Sequence, residues 1–168
     1  MSHGFARIST DNDYRSDVNL LVMDTSHIGL KHSELTDLII GVFYDVYNEL
    51  GHGVLESTYA EAMVIALTQA KLTAARKVSV PVWFRGTKVG QYFADLLVND
   101  LVLLELKATR TLDAAHEAQL LHYLGATEIE VGLLLNLGIR PQFRRLLFDN
   151  ERKQIRENPR KSVAKVSA

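Results

Sequence analysis

The run Leu101-Val102-Leu103-Leu104 passes without a break into Glu105-Leu106-Lys107, and no other stretch limits the fold as much. Four consecutive apolar residues suit a strand covered on both faces, so the chain must supply a packing layer on each side of it. Side chains alternate along a strand, so Glu105 and Lys107 point to one face with Leu106 opposite. A carboxylate and an ammonium therefore leave the end of the best-buried element side by side, where charge is costly. Asp95, in the preceding extended stretch, is likewise set among the apolar Tyr92, Phe93, Leu96 and Leu97.

The rest of the pattern supplies the layers. Helical spacing of Leu35, Leu38, Ile39, Val42, Phe43, Val46 and Leu50 predicts a first helix, N-capped by Ser33 and ended by Gly51. After the Gly51-His52-Gly53 turn a second stripe, Tyr59, Ala62, Met63, Ala66, Leu67 and Ala70, predicts a second helix folded back on the first. Val78, Val80, Val82 and Phe84 then alternate as a strand; Arg85-Gly86-Thr87 turns into a second strand through Tyr92 to Val98. A third, central strand holds the Glu-x-Lys triplet, a third helix runs from Leu112 to Ala126, and Val131 to Leu137 reads as another two-sided strand. A last short strand is expected at Phe143 to Phe148, and no internal repeat is visible. This order predicts an α/β fold, an α/β/α sandwich with a mixed central sheet. Residues 1–32 are expected to form a poorly ordered arm, with a short apolar anchor at Val18 to Met23, 33–148 the domain, and 149–168 a basic flexible tail.

Whether the three charges converge depends on the hairpin at Asn99-Asp100. A two-residue loop would set Asp95 opposite Leu104 and throw the carboxylates to opposite faces. A three-residue connection, a turn with a bulge, puts Asp95 across from Glu105, and this register is the expectation. Two carboxylates so close repel unless a cation lies between them or one is protonated. An all-oxygen site favours Mg²⁺ or Mn²⁺ over zinc. Glu56, three residues before Tyr59, continues the inward stripe of the second helix as a carboxylate at the helix start. On the third helix Gln119 and Tyr123, four apart, share a face with His116 and could orient a phosphate or a water. Taken singly, each has a plain structural reading: an ion pair for Glu105 and Lys107, a turn cap for Asp95, a helix-dipole partner for Glu56, helix surface for Gln119 and Tyr123, packing for Tyr59, local hydrogen bonding for His52 and His116. It is their combination that chance supplies poorly.

Charge and composition narrow the function. With no cysteine there is no disulfide framework, thiolate zinc site or cysteine nucleophile. No apolar run approaches the roughly 18 residues of a membrane span, and the N-terminus carries no secretory pattern, so a cytoplasmic protein without membrane contact is expected. The net charge of −1 excludes holding nucleic acid by bulk charge alone, but it is unevenly divided. From Ile139 onward nine basic residues face three acidic ones, leaving −7 for the rest. The basic end, including Arg144 and Arg145, reads as a solvated extension or as a contact for the phosphates of nucleic acid. A chain of 168 residues has little surface for wrapping a duplex, so a homodimer stays open.

The series Gly53-x-x-Glu56-x-x-Tyr59, Asp95, Glu105-x-Lys107 and Gln119-x-x-x-Tyr123 resembles the GxxExxY proteins of the PD-(D/E)xK nuclease superfamily over about residues 33–148, with Ala94 where the superfamily's motif has proline. The resemblance implies a restriction-endonuclease-like core and a Mg²⁺-dependent phosphodiester hydrolase, a nuclease acting on DNA. It further implies Asp95, Glu105 and the carbonyl of Leu106 as metal ligands, Glu56 as a further ligand or water-positioning carboxylate, and Lys107 as the catalytic lysine. Gln119 and Tyr123 match the extra motif of the exonuclease-like branch. A lysine held between carboxylates keeps its proton, which favours an electrostatic role over that of a general base. The alternative reading is a catalytically silent nucleic-acid-binding or assembly protein on the same scaffold.

Overall fold

The computed structural model describes residues 31–153. The expected apolar anchor, nearly all of the N-terminal arm and most of the basic tail lie outside these residues. Helices α1 (Ser33–Leu50) and α2 (Glu56–Gln69) come first, followed by strands β1 (Ala74–Phe84), β2 (Thr87–Val98) and β3 (Val102–Lys107). Helix α3 (Ala114–Ala126), strands β4 (Val131–Asn136) and β5 (Gln142–Leu147) and a short 3₁₀ turn at Asn150–Arg152 complete the chain. The five strands lie in sequence order, so β3 is central. Only β3 and β4 run parallel, which requires a crossover, and α3 is that crossover. The fold is an α/β/α sandwich with a mixed sheet.

Two buried clusters divide the faces. Ile39, Phe43 and Val46 of α1 and Tyr59, Met63 and Leu67 of α2 pack on Leu96, Leu104, Leu106, Leu133 and Leu135. On the other face Leu120, Tyr123 and Leu124 of α3 cover Val80, Ala94, Leu97, Leu103 and Leu134. Alternation from Leu103 therefore places Glu105 and Lys107 on the α3 face. The β2–β3 connection has the three-residue register expected from the sequence: Val98 pairs with Val102, Leu97 with Leu103 and Leu96 with Leu104. Asn99 and Asp100 both sit at positive φ (50° and 58°), a conformation that short polar side chains tolerate better than most.

One local departure concerns the start of α1. Ser33 already lies within the helix; His32 occupies the cap in a left-handed conformation and offers no side-chain cap. Thr36 instead donates its hydroxyl to the Ser33 carbonyl. On the C-terminal side Lys153 is packed down, its Nζ donating to the carbonyls of Thr127 and Ile129, 2.8 Å each.

The loop leaving β3 is clamped from β4. Asn136, fully buried, accepts from the Thr109 N–H (2.9 Å) and donates to the Thr109 carbonyl (3.0 Å). Two residues on, Gly138 lies so close that a Cβ there would sit 1.8 Å from the Thr109 carbonyl oxygen. Backbone cannot yield as a side-chain tip can. Gly138→Ala should therefore lower unfolding stability by about 1–3 kcal/mol in urea titration, the usual range for forced overpacking; an unchanged midpoint would show that the approach is not required.

Candidate functional site

The charged groups gather at the C-terminal end of β3. Glu105 is 3% exposed; its Oε1 accepts from Lys107 Nζ at 2.6 Å, and its Oε2 is buried without a hydrogen-bond partner. Asp95 reaches the same strand end from β2. The backbone ladder stops at Leu96 and Leu104, and beyond it the Leu106 N–H donates to Asp95 Oδ2 at 2.7 Å. Asp95 thus replaces a ladder partner where Glu105 had been expected directly across. In a strand the N–H and C=O of one residue project the same way, so the Leu106 carbonyl also faces β2, the side of Asp95.

A local break in β2, matched by one in β1 with no change of register, makes this possible. Ala94 and Leu97 both belong to the α3 cluster, whereas Leu96 and Val98 face α1 and α2. Alternation therefore fails at Asp95, which is absent from the β1–β2 ladder between the pairs Arg76–Leu96 and Val78–Ala94. Lys77, the residue skipped on β1, has a φ of 52°, a conformation costing an ordinary residue about 1 kcal/mol. Such irregularities re-aim a side chain and end pairing, as happens here.

Glu56 arrives from the opposite layer. Exposed at the first turn of α2, its Oε1 accepts from the Ala108 N–H at 2.9 Å, so it closes over the strand end instead of burying itself along the helix stripe. Tyr59, fully buried, donates its hydroxyl to the Gly51 carbonyl and so anchors the turn before α2. Gly51 and Gly53 take positive φ in that turn (69° and 91°). Beside Glu56, a groove of about 700 Å³ runs past His52, Thr109, Arg110 and Ile139. On the α3 side, Gln119 Nε2 donates to the Tyr123 hydroxyl at 2.7 Å, and the charges of Glu105, Lys107 and Asp95 all act on that hydroxyl. Glu56, Asp95, Glu105, Lys107, Gln119 and Tyr123 are thus brought to one place.

Other expected residues are not. Arg144 and Arg145 lie on successive positions of β5 and hence on opposite faces. Arg145 is half-buried and donates to the Lys31 carbonyl, while burial lowers its pKa. That spends it on structure. Arg144 faces α3, 3.8 Å from Glu117, in the cross-strand row that runs through Leu134 to Glu105. His116 closes a capping box with Asp113 at the start of α3. Two residues escaped the sequence reading. Asn136 could have been found as the polar end of an apolar strand, the same signal that marks Glu105. Arg76, whose charge lowers the pKa of Asp95, carries no local signal.

Burial governs the electrostatics. It pushes the Glu105 carboxyl up from 4.5 to about 7, against the Lys107 hydrogen bond, and the Asp95 charge pushes the same way. Burial also raises Asp95, opposed by the Leu106 N–H. For Lys107 burial works against the ammonium, but the Glu105 hydrogen bond and the surrounding carboxylates outweigh it and raise the pKa. Two carboxylates disfavoured as anions, one with an unpartnered oxygen, and an adjacent carbonyl make a donor set suited to a hard divalent cation. Among the described residues no three His, Asp or Glu side chains converge closely enough to hold an ion by themselves, so backbone and water oxygens would have to complete the shell.

A family model described as the PD-(D/E)XK nuclease superfamily matches residues 33–146. No curated protein matches the chain. A solved structure described as "Crystal structure of SSO0001" shares 15% identity, with 70% of this chain and 68% of that chain covered and a TM-score of 0.38. Among the described residues no helix is long and apolar enough to cross a membrane.

A carboxyl whose folded pKa exceeds its unfolded value stabilises fully below the unfolded value, and that contribution is lost as pH rises through the folded one. With divalent ions chelated, stability should therefore fall between about pH 5 and pH 8 as Glu105 ionises. Glu105→Gln should flatten this slope in urea midpoints measured across that range; an equal slope in the variant would assign the effect elsewhere.

Proposed function

The chain belongs to the PD-(D/E)XK nuclease superfamily, and from that premise we propose that it hydrolyses phosphodiester bonds in DNA with Mg²⁺ or Mn²⁺. The observation that carries the reading is the buried, unpartnered Oε2 of Glu105, set beside Asp95 and the Lys107 ammonium at one strand end. Burying an anion this way is strongly unfavourable unless a positive charge arrives to meet it.

Asp95, Glu105 and the Leu106 carbonyl would hold the cation. When bound, a divalent cation supplies a Lewis acid for the scissile phosphate and lowers the pKa of water. Lys107, kept protonated by its carboxylate neighbours, stabilises the negative charge that develops on the phosphoryl oxygens. Glu56, tethered to Ala108 at the edge of the groove, orients the attacking water. Gln119 and Tyr123, joined by their hydrogen bond, present an amide and a hydroxyl to the phosphate. Arg144, on the α3 face but apart from these groups, meets a more distant phosphate of the same strand. Attack by an external water needs no 2′-hydroxyl, which leaves DNA a competent substrate.

Lys107→Ala and Asp95→Ala should each reduce Mn²⁺-dependent cleavage of DNA at least about a hundredfold, with circular dichroism unchanged. Millimolar Mn²⁺ should raise the unfolding temperature of the wild type and not that of Asp95→Ala, because a ligand of the native state stabilises by mass action. Full cleavage by either purified variant would refute the site. A wild type that binds DNA but neither cleaves it nor responds to Mn²⁺ would leave a silent scaffold.

A further inference from the structure

On the α3 face, Tyr92 and His122, which have no part in the chemistry above, gather beside Tyr123. Tyr92 of β2 is 51% exposed, although its ring is large and apolar. It meets His122 edge to face, with centroids 5.6 Å apart and planes at 87°, and lies 6.1 Å from the Tyr123 ring at 42°. The three rings border a cavity of about 370 Å³, completed by Ala115, Ala118 and Gln119. This volume is at the lower end of small-molecule sites, which run from about 300 to 1,000 Å³. The two alanines leave its wall on α3 open.

Tyr123 belongs to both places. Its ring borders the cavity, while its hydroxyl takes the Gln119 hydrogen bond and lies within the field of Glu105, Lys107 and Asp95. A flat molecule stacked in the cavity would therefore be anchored next to any phosphate held at Lys107. A strand of nucleic acid has this form, an anionic backbone carrying planar bases within a few ångströms of each phosphate. A base inside a duplex is stacked on both sides and cannot enter, whereas every unpaired base offers a π-face to an aromatic side chain.

We propose that Tyr92, His122 and Tyr123 form a stacking site for one unpaired nucleobase, whose neighbouring phosphate lies at Glu105 and Lys107, so that the substrate is single-stranded or frayed. This rests on the nuclease reading for the position of the phosphate, and it goes beyond that reading in naming the form of the strand. Tyr92 is half exposed, so its replacement should leave the fold intact, which the unfolding temperature checks.

The test uses the full chain with Mg²⁺ and a single-stranded oligodeoxynucleotide whose linkages are phosphorothioates, which resist cleavage, carrying 2-aminopurine at successive positions. A matching oligoribonucleotide and a blunt duplex serve as competitors. Fluorescence should be quenched most at one position. Tyr92→Ala should lose that quench and weaken binding about tenfold, Tyr92→Phe should keep both, and the duplex should compete poorly. Equal affinity and equal quench in Tyr92→Ala, or a duplex that competes as well as the single strand, would overturn the stacking site. Stronger competition by the oligoribonucleotide would keep the stacking site and move the substrate from DNA to RNA. Cleavage is assayed in parallel with Mg²⁺. A Tyr92-dependent quench without cleavage by the wild type would sink the nuclease reading alone; cleavage with no Tyr92 effect would sink the stacking site alone.

Discussion

The dominant constraint on this molecule is the carboxylate of Glu105, which is carried into the interior by the central strand and left with one oxygen unpartnered. A strand covered by α1 and α2 on one face and α3 on the other has no cheap place for an ion. Replacing such a group by leucine would suit the fold better, since buried ion pairs rarely repay their desolvation. Lys107, two residues on, relieves one oxygen only. Burial, more than any neighbouring charge, sets the carboxyl near neutrality, and the remaining oxygen is the reason to look for a cation.

Around that strand end the fold is held by backbone clamps, which need no charge. Asn136 and Gly138 fix the loop at Thr109, Tyr47 donates its hydroxyl to the Gly138 carbonyl at 3.0 Å, and Tyr59 fixes the Gly51 turn. The consequence for Glu56 is indirect but definite: it meets Ala108 because both the turn before α2 and the loop after β3 are held from other elements. Sites that must place charges within a few tenths of an ångström need such support, since exposed side chains alone would wander.

Much of this was legible in the sequence, for identifiable reasons. The Leu101 to Leu104 run suits a two-sided strand, which the chain forms from Val102 while Leu101 stays exposed in the turn, and Asn99-Asp100 restricted its hairpin enough for the register to be worked out. Gln119 and Tyr123 were reachable because helical spacing fixes which residues share a face, whereas Glu56 reaches the strand end without following the inward stripe that pointed to it. Three things resisted. The break in alternation at Asp95 coincides with a left-handed Lys77 across the ladder, which no local pattern announces. The pairing of Tyr92 with His122 joins a strand to a helix far along the chain, which periodicity cannot see. Arg144 and Arg145 share the basic end in composition, but as adjacent strand residues they point apart, which a count of charges does not show.

Charge balance at the strand end gives a last step. Glu56, Asp95 and Glu105 face a single Lys107, so once ionised the cluster carries an excess of negative charge and would repel a phosphate. Protonation of Glu105 lessens the excess, and a divalent cation cancels it; the two compete for the same oxygen. Cation and phosphate should then assist each other's binding, because each removes the repulsion that the other would meet, and linkage requires the assistance to be equal in both directions. A site arranged in this way holds little affinity for its polyanionic substrate until the cation is present. The basic residues remote from the strand end can attract a strand but cannot settle a phosphate beside three carboxylates.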